Sequence, residues 1–136
     1  MKYEILKKQF GYDTFRPGQE EIIDAIMQGR DAIAIMPTGA GKSICYQIPA
    51  LMLEGITLVI SPLISLMKDQ VRSLNQNGIR AAYLNSTLTP GQYRKALMLA
   101  AQGEYRIIYV APERLESESF LRFVQQARIA MVAVDE

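Results

Sequence analysis

The chain has 136 residues, the length of one domain, and its composition is that of an ordinary globular protein, 49% hydrophobic and 21% charged. A net charge of +1 neither requires nor excludes a nucleic-acid partner, while the lack of histidine excludes histidine acid–base chemistry and His–Cys zinc sites in this sequence. A single cysteine, no bilayer-length apolar stretch and no signal-peptide core predict a soluble, cytoplasmic protein with no membrane partner.

Short apolar runs alternate with amphipathic segments along the whole chain. Helical spacing is present near residues 22–27, 44–53, 63–74 and 90–101, and Thr89 with Gln92 forms a capping-box sequence. The apolar runs predict five strands, at residues 32–36, 57–61, 81–85, 107–111 and 129–134. Four of them are almost continuously apolar, which is typical of strands covered on both faces. The alternation predicts an α/β fold with a mostly parallel sheet and helices on both faces.

Polar clusters follow all five predicted strands. They lie at residues 37–43, 61–62, 85–87, 112–114 and 135–136. Ligands of parallel α/β sheets bind at the carboxyl ends of the strands. We therefore expect these clusters to share one rim of the sheet.

The first cluster has the sequence of a phosphate-binding loop, MPTGAGKS over residues 36–43. Its glycines let the backbone wrap a phosphate, and the following helix N-terminus adds partial positive charge. Lys42 supplies a charge for the β- and γ-phosphates, and Ser43 supplies a hydroxyl ligand for Mg²⁺. Met36 replaces the first glycine of the signature, and the alternative is a glycine-rich turn with a solvated lysine. The pattern predicts a nucleoside triphosphate site made by Thr38, Gly39, Ala40, Gly41, Lys42 and Ser43.

The last predicted strand ends in two carboxylates, Asp135 and Glu136. An aspartate at a strand tip can hold Mg²⁺ against the loop hydroxyl, and a following glutamate can orient or deprotonate the attacking water. Alone this ending is weak evidence, because acidic residues often begin surface loops. Together with the upstream loop it predicts a hydrolytic site with Lys42, Asp135 and Glu136 as catalytic residues.

Several segments together resemble the RecQ family of superfamily 2 DNA helicases, which carry a DEAH box. They are FGY at 10–12, FRPGQ at 15–19, MPTGAGKS, SPLISLMKDQ, LNST, YVAPERL and VAVDE. The match spans nearly the whole chain in the family's order. It implies a RecA-like P-loop NTPase fold, with residues 1–136 as the N-terminal part of the first of two motor domains, an incomplete domain that ends within the DEAH box.

The same resemblance implies an activity and its partners. ATP and Mg²⁺ would be the cofactors, and ATP hydrolysis would drive 3′-to-5′ movement on single-stranded DNA and unwinding of duplex DNA. It also implies roles in DNA repair and recombination, at the nucleoid if the source is bacterial. The second motor domain, which this sequence lacks, would be a further partner, and the 136 residues alone would be inactive. Ala40 stands where the family usually has a third glycine.

The resemblance also assigns an adenine-recognition motif to Tyr12, Arg16 and Gln19. The Gln19 amide would bond the N6 and N7 edge of adenine, and Tyr12 would stack on the ring. The alternative, which the residues alone favour, is that Gln19 is only a residue of the first helical turn and Tyr12 only a packed aromatic.

Three further motifs match segments that contact the DNA strand in the family. Their residues are Ser61, Pro62, Ser65, Lys68, Asn85, Ser86, Thr87, Pro112, Glu113 and Arg114. Hydroxyls and helix-start amides suit phosphates and carry no base identity. The alternative is that Ser65 and Thr87 are caps or turns and that Lys68, Arg72 and Arg80 are solvated charges.

Two other functions remain open at this point. One is a superfamily 2 DNA translocase that does not unwind, such as a chromatin remodeller or a restriction translocase. The other is a non-catalytic nucleotide- or DNA-binding fragment. In the family's sheet, a strand from beyond the DEAH box lies between residues 32–36 and 129–134. We therefore expect this chain either to belong to a longer one or to have a rearranged or partnered sheet.

Overall fold

The computed structural model describes residues 1–37 and 41–135, and the chain forms two compact units, Met1–Leu53 and Glu54–Glu136. The first unit contains three helices, α1 (Lys2–Phe10), α2 (Gln19–Met27) and α3 (Ile44–Met52). Their apolar faces meet in a small core centred on Leu6, Ile23, Ile44 and Ile48. The helices predicted near residues 22–27 and 44–53 are thus confirmed to within a few residues, whereas α1 is not predicted from the sequence.

A charged clamp joins α1 to α2. The ammonium group of Lys2 lies 2.8 Å from a Glu20 carboxylate oxygen and 2.6 Å from one of Asp24, and the Tyr3 hydroxyl donates to Glu20. Hydrogen bonds to Asp24 and then Glu20 raise the pKa of Lys2 above its ordinary value. The bond from Lys2, followed by that from Tyr3, lowers the pKa of Glu20. The clamp therefore fixes the first turns of α2 against α1.

The strand predicted at residues 32–36 is wrong for this structure. The segment has no regular secondary structure, and Ile33 and Ile35 are 92% and 95% exposed. A strand forms only where a neighbour takes up its backbone hydrogen bonds. Within residues 1–37 and 41–135, all paired strands belong to the second unit, so no ladder includes this segment. The described sheet therefore does not include this segment, and the expectation of a longer chain or of a rearranged or partnered sheet stays a prediction.

The second unit holds a four-stranded parallel sheet in the order β2-β3-β1-β4. Its strands are β1 (Ile56–Ile60), β2 (Ala81–Leu84), β3 (Ile107–Val110) and β4 (Ile129–Val134). Its helices are α4 (Ile64–Gln76), α5 (Pro90–Ala101) and α6 (Glu118–Gln126), with a 3₁₀ turn at Pro112–Glu116. All four predicted strands of this unit are present within one residue of their expected bounds, and the α/β prediction is confirmed.

Helices cover both faces of this sheet. On one face Leu84 and Ile108 pack with Tyr93 of α5 and Phe120 of α6 in the main core. Because side chains alternate along a strand, Tyr83 points to the opposite face, where α4 packs on β2. The capping box that begins α5 is present as predicted. The Thr89 hydroxyl accepts from the backbone N–H of Gln92 at 3.1 Å, and the Gln92 side-chain oxygen accepts from the backbone N–H of Thr89 at 2.9 Å.

The outer strand β4 departs from the pattern expected of a strand covered on both faces. Val132 is 53% exposed and Val134 is 74% exposed. Since β4 pairs only with β1 in the described sheet, its other edge faces away from the ladder. None of the helices in residues 1–37 and 41–135 has the length and hydropathy needed to cross a membrane.

Candidate nucleotide and nucleic-acid sites

The described part of the predicted phosphate loop leads directly into α3. Gly41 has a φ of 78°, a left-handed conformation that favours glycine. The carbonyl oxygens of Gly41 and Lys42 accept from the backbone N–H groups of Ile44 and Cys45 at 3.3 and 3.0 Å, so the helix begins with a tight turn. Lys42 and Ser43 are both half-buried at this helix start. A helix start with a nearby lysine is the part of a phosphate-binding site that binds the anion. The strand that usually precedes such a loop is not formed in the described residues.

Gln19 is buried against this loop. Only 2% of it is exposed, and its side-chain nitrogen donates to the carbonyl oxygen of Gly41 at 3.0 Å. Its side-chain oxygen accepts from the backbone N–H of Arg16 at 2.9 Å. A Cβ at Gly41 would lie 2.5 Å from the Gln19 side-chain nitrogen. The fold therefore brings together Arg16, Gln19 and Gly41, which the sequence assigned to two separate motifs.

Of the other residues predicted to contact the nucleotide or to act in catalysis, one is exposed and several lie outside the described residues. Tyr12 follows the end of α1 and is 49% exposed, with its backbone N–H bonded to the carbonyl oxygen of Leu6 at 3.2 Å. Thr38, Gly39, Ala40 and Glu136, which the sequence assigned to ATP binding or catalysis, lie outside the described residues.

The four polar clusters of the second unit lie on one rim of its sheet, as predicted, whereas the first predicted cluster follows no strand of the described sheet. The ladder continues past the strand ends through three backbone hydrogen bonds: Asp135 N–H to Ile60 O at 2.9 Å, Ser61 N–H to Val110 O at 3.1 Å, and Ala111 N–H to Leu84 O at 3.0 Å. Each bond joins the carboxyl ends of two neighbouring strands. The segments after β1, β2, β3 and β4 therefore begin side by side.

The two predicted Mg²⁺ ligands are both oxygen donors, as this hard cation prefers. Asp135 is half-buried where β4 ends, and Ser43 is half-buried where α3 begins. Mg²⁺ bound with a nucleotide takes one or two protein carboxylates plus phosphates rather than a cage of side chains. Among the described residues, no group of three or more Asp, Glu, Cys or His side chains could hold a metal ion. The chemistry of the two donors fits the ion.

The motif after β1 is partly internal and partly exposed. Ser61 is buried, and its hydroxyl accepts from the backbone N–H of Leu63 at 3.2 Å, so it shapes the turn into α4. Pro62, Ser65 and Lys68 are exposed. Ser65 makes no cap for α4, because the helix has no side-chain cap at its start. The exposed groups are thus the ones accessible to a phosphate.

The motifs after β2 and β3 are tied to each other. Asn85 is buried, and its side-chain oxygen accepts from the backbone N–H of Thr87 at 2.9 Å and from the Thr87 hydroxyl at 2.5 Å. Arg114 donates to the carbonyl oxygen of Asn85 at 3.1 Å, and its guanidinium lies 4.4 Å from the ring centre of Tyr93. Ser86, Pro112 and Glu113 are exposed. Asn85 and Arg114 therefore hold the rim together from inside.

Sequence reasoning missed these internal contacts. The clamp of Lys2 on α2, the Gln19–Gly41 bond and the Arg114–Asn85 bond all join residues at least 17 positions apart. Local signals exist only for short-range features, such as the capping box of α5. The pairing partners of a buried amide or guanidinium depend on tertiary packing, which no spacing rule in one sequence reveals.

Comparison with known proteins shows the family of this chain. The family model described as DEAD/DEAH box helicase matches residues 16–136, most of the chain. The chain belongs to the DEAD/DEAH box helicase family. The match includes the whole described sheet and every described helix except α1.

The relatives with similar sequences carry a more specific name. The chain is 49% identical over 132 residues to the ATP-dependent DNA helicase RecQ of Haemophilus influenzae, and 53% identical over 133 residues to that of Bacillus subtilis. Both alignments cover 97% of this chain but only 21% and 22% of the relatives. The chain thus spans about a fifth of the length of the curated relatives it matches.

Two solved helicase structures share the fold. The DUF1998 helicase MrfA superposes with a TM-score of 0.76 at 19% identity, over 99% of this chain and 23% of that one. A hypothetical ATP-dependent RNA helicase from Sulfolobus tokodaii gives 0.73 at 23% identity, over 99% and 40%. At these identities the likeness bears on the RecA-like α/β fold alone, and it supports the fold prediction.

Proposed function

We propose that this chain is the nucleotide-binding part of an ATP-dependent DNA helicase of the RecQ type, which couples ATP hydrolysis to movement along single-stranded DNA and to duplex unwinding. The observation that carries the proposal is the bond between Gln19 and Gly41. It joins the predicted adenine-recognition motif to the predicted phosphate loop within one unit. The names of the relatives that match 97% of the chain supply the choice of DNA as substrate.

In this proposal the nucleotide is held from both ends. The Gln19 amide reads the adenine edge, and Tyr12 stacks on the ring. Lys42 and the N-terminus of α3 bind the phosphates, because backbone N–H groups and a lysine charge stabilise anions at a helix start. Ser43 and Asp135 would be the protein ligands of Mg²⁺, which would supply charge neutralisation at the phosphates. Glu136 orients the attacking water.

The DNA contacts in this proposal come from the rim of the second unit. The exposed groups after β1 and β2 are Ser65, Lys68, Ser86 and Thr87. Hydroxyls and a lysine bind phosphates without reading bases, so the binding is independent of sequence and weakens steeply with salt. ATP-driven motion then moves the strand without sequence preference.

The test is ATP hydrolysis by the complete protein containing this chain, measured with and without single-stranded DNA. We expect DNA to stimulate turnover and Lys42→Ala to abolish it. The lysine offsets charge on the γ-phosphate, and hydrogen bonds to charged groups are worth about 1.5–3 kcal/mol each. Lys8→Ala, which removes an exposed lysine from α1, is the matched control and should keep full turnover.

Two results would contradict the proposal. Turnover that survives Lys42→Ala would remove the phosphate-loop assignment. If DNA does not stimulate ATP turnover and the protein does not separate the strands of a forked duplex, the protein would be a P-loop ATPase whose substrate is not DNA.

A further inference from the structure

A groove runs between α4 and the outer strand β2 of the second unit. It has a volume of about 400 Å³ and is lined by Lys68, Val71, Arg72, Asn75, Gln76 and Tyr83. Only Lys68 among these belongs to a motif assigned to DNA. The groove descends from the rim along the side of the sheet, because α4 begins at the carboxyl end of β1 and runs away from it.

One wall of the groove is a row of polar side chains on α4. Lys68, Arg72 and Gln76 are spaced four residues apart and are exposed, so they follow one another at intervals of about 6 Å along the helix. Arg72 also lies 3.7 Å from Asp69, in an exposed pair of the kind that contributes little energy. Two cations and an amide therefore remain accessible along the groove.

The floor of the groove is aromatic and apolar. Tyr83 is half-buried on the face of β2 that α4 covers, and Val71 is buried next to it. An aromatic ring beside a row of cations is the combination with which proteins hold single-stranded nucleic acid, with bases stacked on rings and phosphates on cations.

The open edge of β2 argues against a peptide that adds a strand there. The Asn75 side chain already takes the outward backbone groups of Ala81: its oxygen accepts from the Ala81 N–H at 3.0 Å, and its nitrogen donates to the Ala81 carbonyl at 3.4 Å. The strand has only four residues, so little edge remains for a peptide to pair with. The accessible chemistry of the groove is its cations and its ring.

We propose that this groove binds single-stranded DNA beyond the rim, with phosphates on Lys68 and Arg72 and a base stacked on Tyr83. The inference rests on the proposed function, because it extends the strand path that the exposed rim residues begin. It adds Arg72, Gln76 and Tyr83 to the DNA-binding residues. The strand is single because stacking on Tyr83 requires a base that is not paired within a duplex.

The experiment measures binding of a fluorescent oligo(dT) 20-mer to the complete protein by anisotropy, over a series of salt concentrations. Arg72→Gln should lower the slope of log K against log salt by about one counterion contact. Tyr83→Leu should weaken binding by roughly 5- to 150-fold, the range for one stacked base, while Tyr83→Phe should stay within about twofold of wild type. Arg122→Gln, an exposed arginine on α6, is the matched control and should change neither quantity.

The outcomes separate this inference from the function on which it rests. If Arg72→Gln and Tyr83→Leu bind as wild type while DNA still stimulates ATP turnover, the groove assignment is wrong and the helicase proposal stands. If wild type neither binds the oligonucleotide nor responds to it in turnover, both are wrong. A deca-glutamate peptide that binds wild type and loses affinity in Arg72→Gln, with oligo(dT) unaffected, would assign the groove to an acidic protein partner instead. Should Tyr83→Leu fail to fold, the surface change Arg72→Gln still decides the question.

Discussion

The side-chain nitrogen of Gln19 donates to the carbonyl oxygen of Gly41, and this bond joins the start of α2 to the phosphate loop. The other end of the amide accepts from the backbone N–H of Arg16, so both polar atoms of this buried side chain are satisfied inside the protein. The amide nitrogen carries a second hydrogen and the amide oxygen a second lone pair, so contacts to adenine can add to these bonds. Gln19 therefore has a structural role beside its predicted role in base recognition.

Replacing Gln19 with alanine should reduce the preference for ATP over GTP while phosphate binding is kept. A buried amide matched to adenine leaves groups unpaired against guanine, which costs about 1–3 kcal/mol. The measurement is the ratio of kcat/KM for the two nucleotides in the complete protein. Gln102→Ala, at the exposed end of α5, is the control and should leave the ratio unchanged. An unaltered ratio in Gln19→Ala would leave Gln19 with only its structural role at the start of α2.

Arg114 is predicted from sequence to touch DNA, but its contacts support a positioning role. Its bond to Asn85 and its place over Tyr93 join the segments after β2 and β3. We expect Arg114→Ala to lower the local stability there by roughly 2 kcal/mol, because a charged hydrogen bond and a cation–π contact are both lost. Hydrogen exchange of the Ala111 amide, which bonds to Leu84 next to this contact, measures the change.

The control for this change is Arg94→Ala, an exposed arginine on α5. It should leave exchange of the Ala111 amide as in wild type. If Arg114→Ala also leaves that exchange unchanged but flattens the salt dependence of DNA binding, then Arg114 is a direct phosphate contact and not a positioning residue.

The clamp between α1 and α2 should depend on pH. The pKa of Glu20 is lowered in the folded state, so its contribution is present above the ordinary value of 4.5 and is lost as pH falls through the folded value. The pKa of Lys2 is raised, so its contribution is present below 10.5 and is lost as pH rises through the folded value. Lys2→Met should therefore speed hydrogen exchange of α2 amides at pH 7 but have little effect at an acidic pH at which Glu20 is protonated in the folded protein. Lys8→Met, on the same helix, should have no effect at either pH, and equal effects of Lys2→Met at both values would contradict the ionic origin of the clamp.

What the sequence predicts well here is local. The four strands of the second unit and the capping box of α5 follow from apolar runs and from the Thr89–Gln92 spacing, and the structure confirms them. The strand at residues 32–36 has an equally apolar sequence, yet it is not formed. A strand forms only if its sequence has β-propensity and a second strand is available to pair with it. Which strands pair depends on the tertiary structure and not on the local sequence. For the same reason the sequence identified Gln19 as a candidate but not its bond to Gly41.

The 136-residue chain by itself should be marginally stable and should hydrolyse ATP negligibly. Ile33 and Ile35 are almost fully exposed, and Val132 and Val134 are more than half exposed on the outer strand β4. Exposed apolar side chains forgo about 1.5–3 kcal/mol each of burial energy, and an apolar outer strand invites pairing with other chains. We expect sedimentation to show association and calorimetry to show no sharp transition. Replacing Ile33, Ile35, Val132 and Val134 with threonine should reduce the association, whereas threonine at Leu121, an exposed residue of α6, should not. A monomeric chain that melts cooperatively and shows DNA-stimulated ATP turnover would refute this prediction, because the described strands and helices would then suffice for the activity.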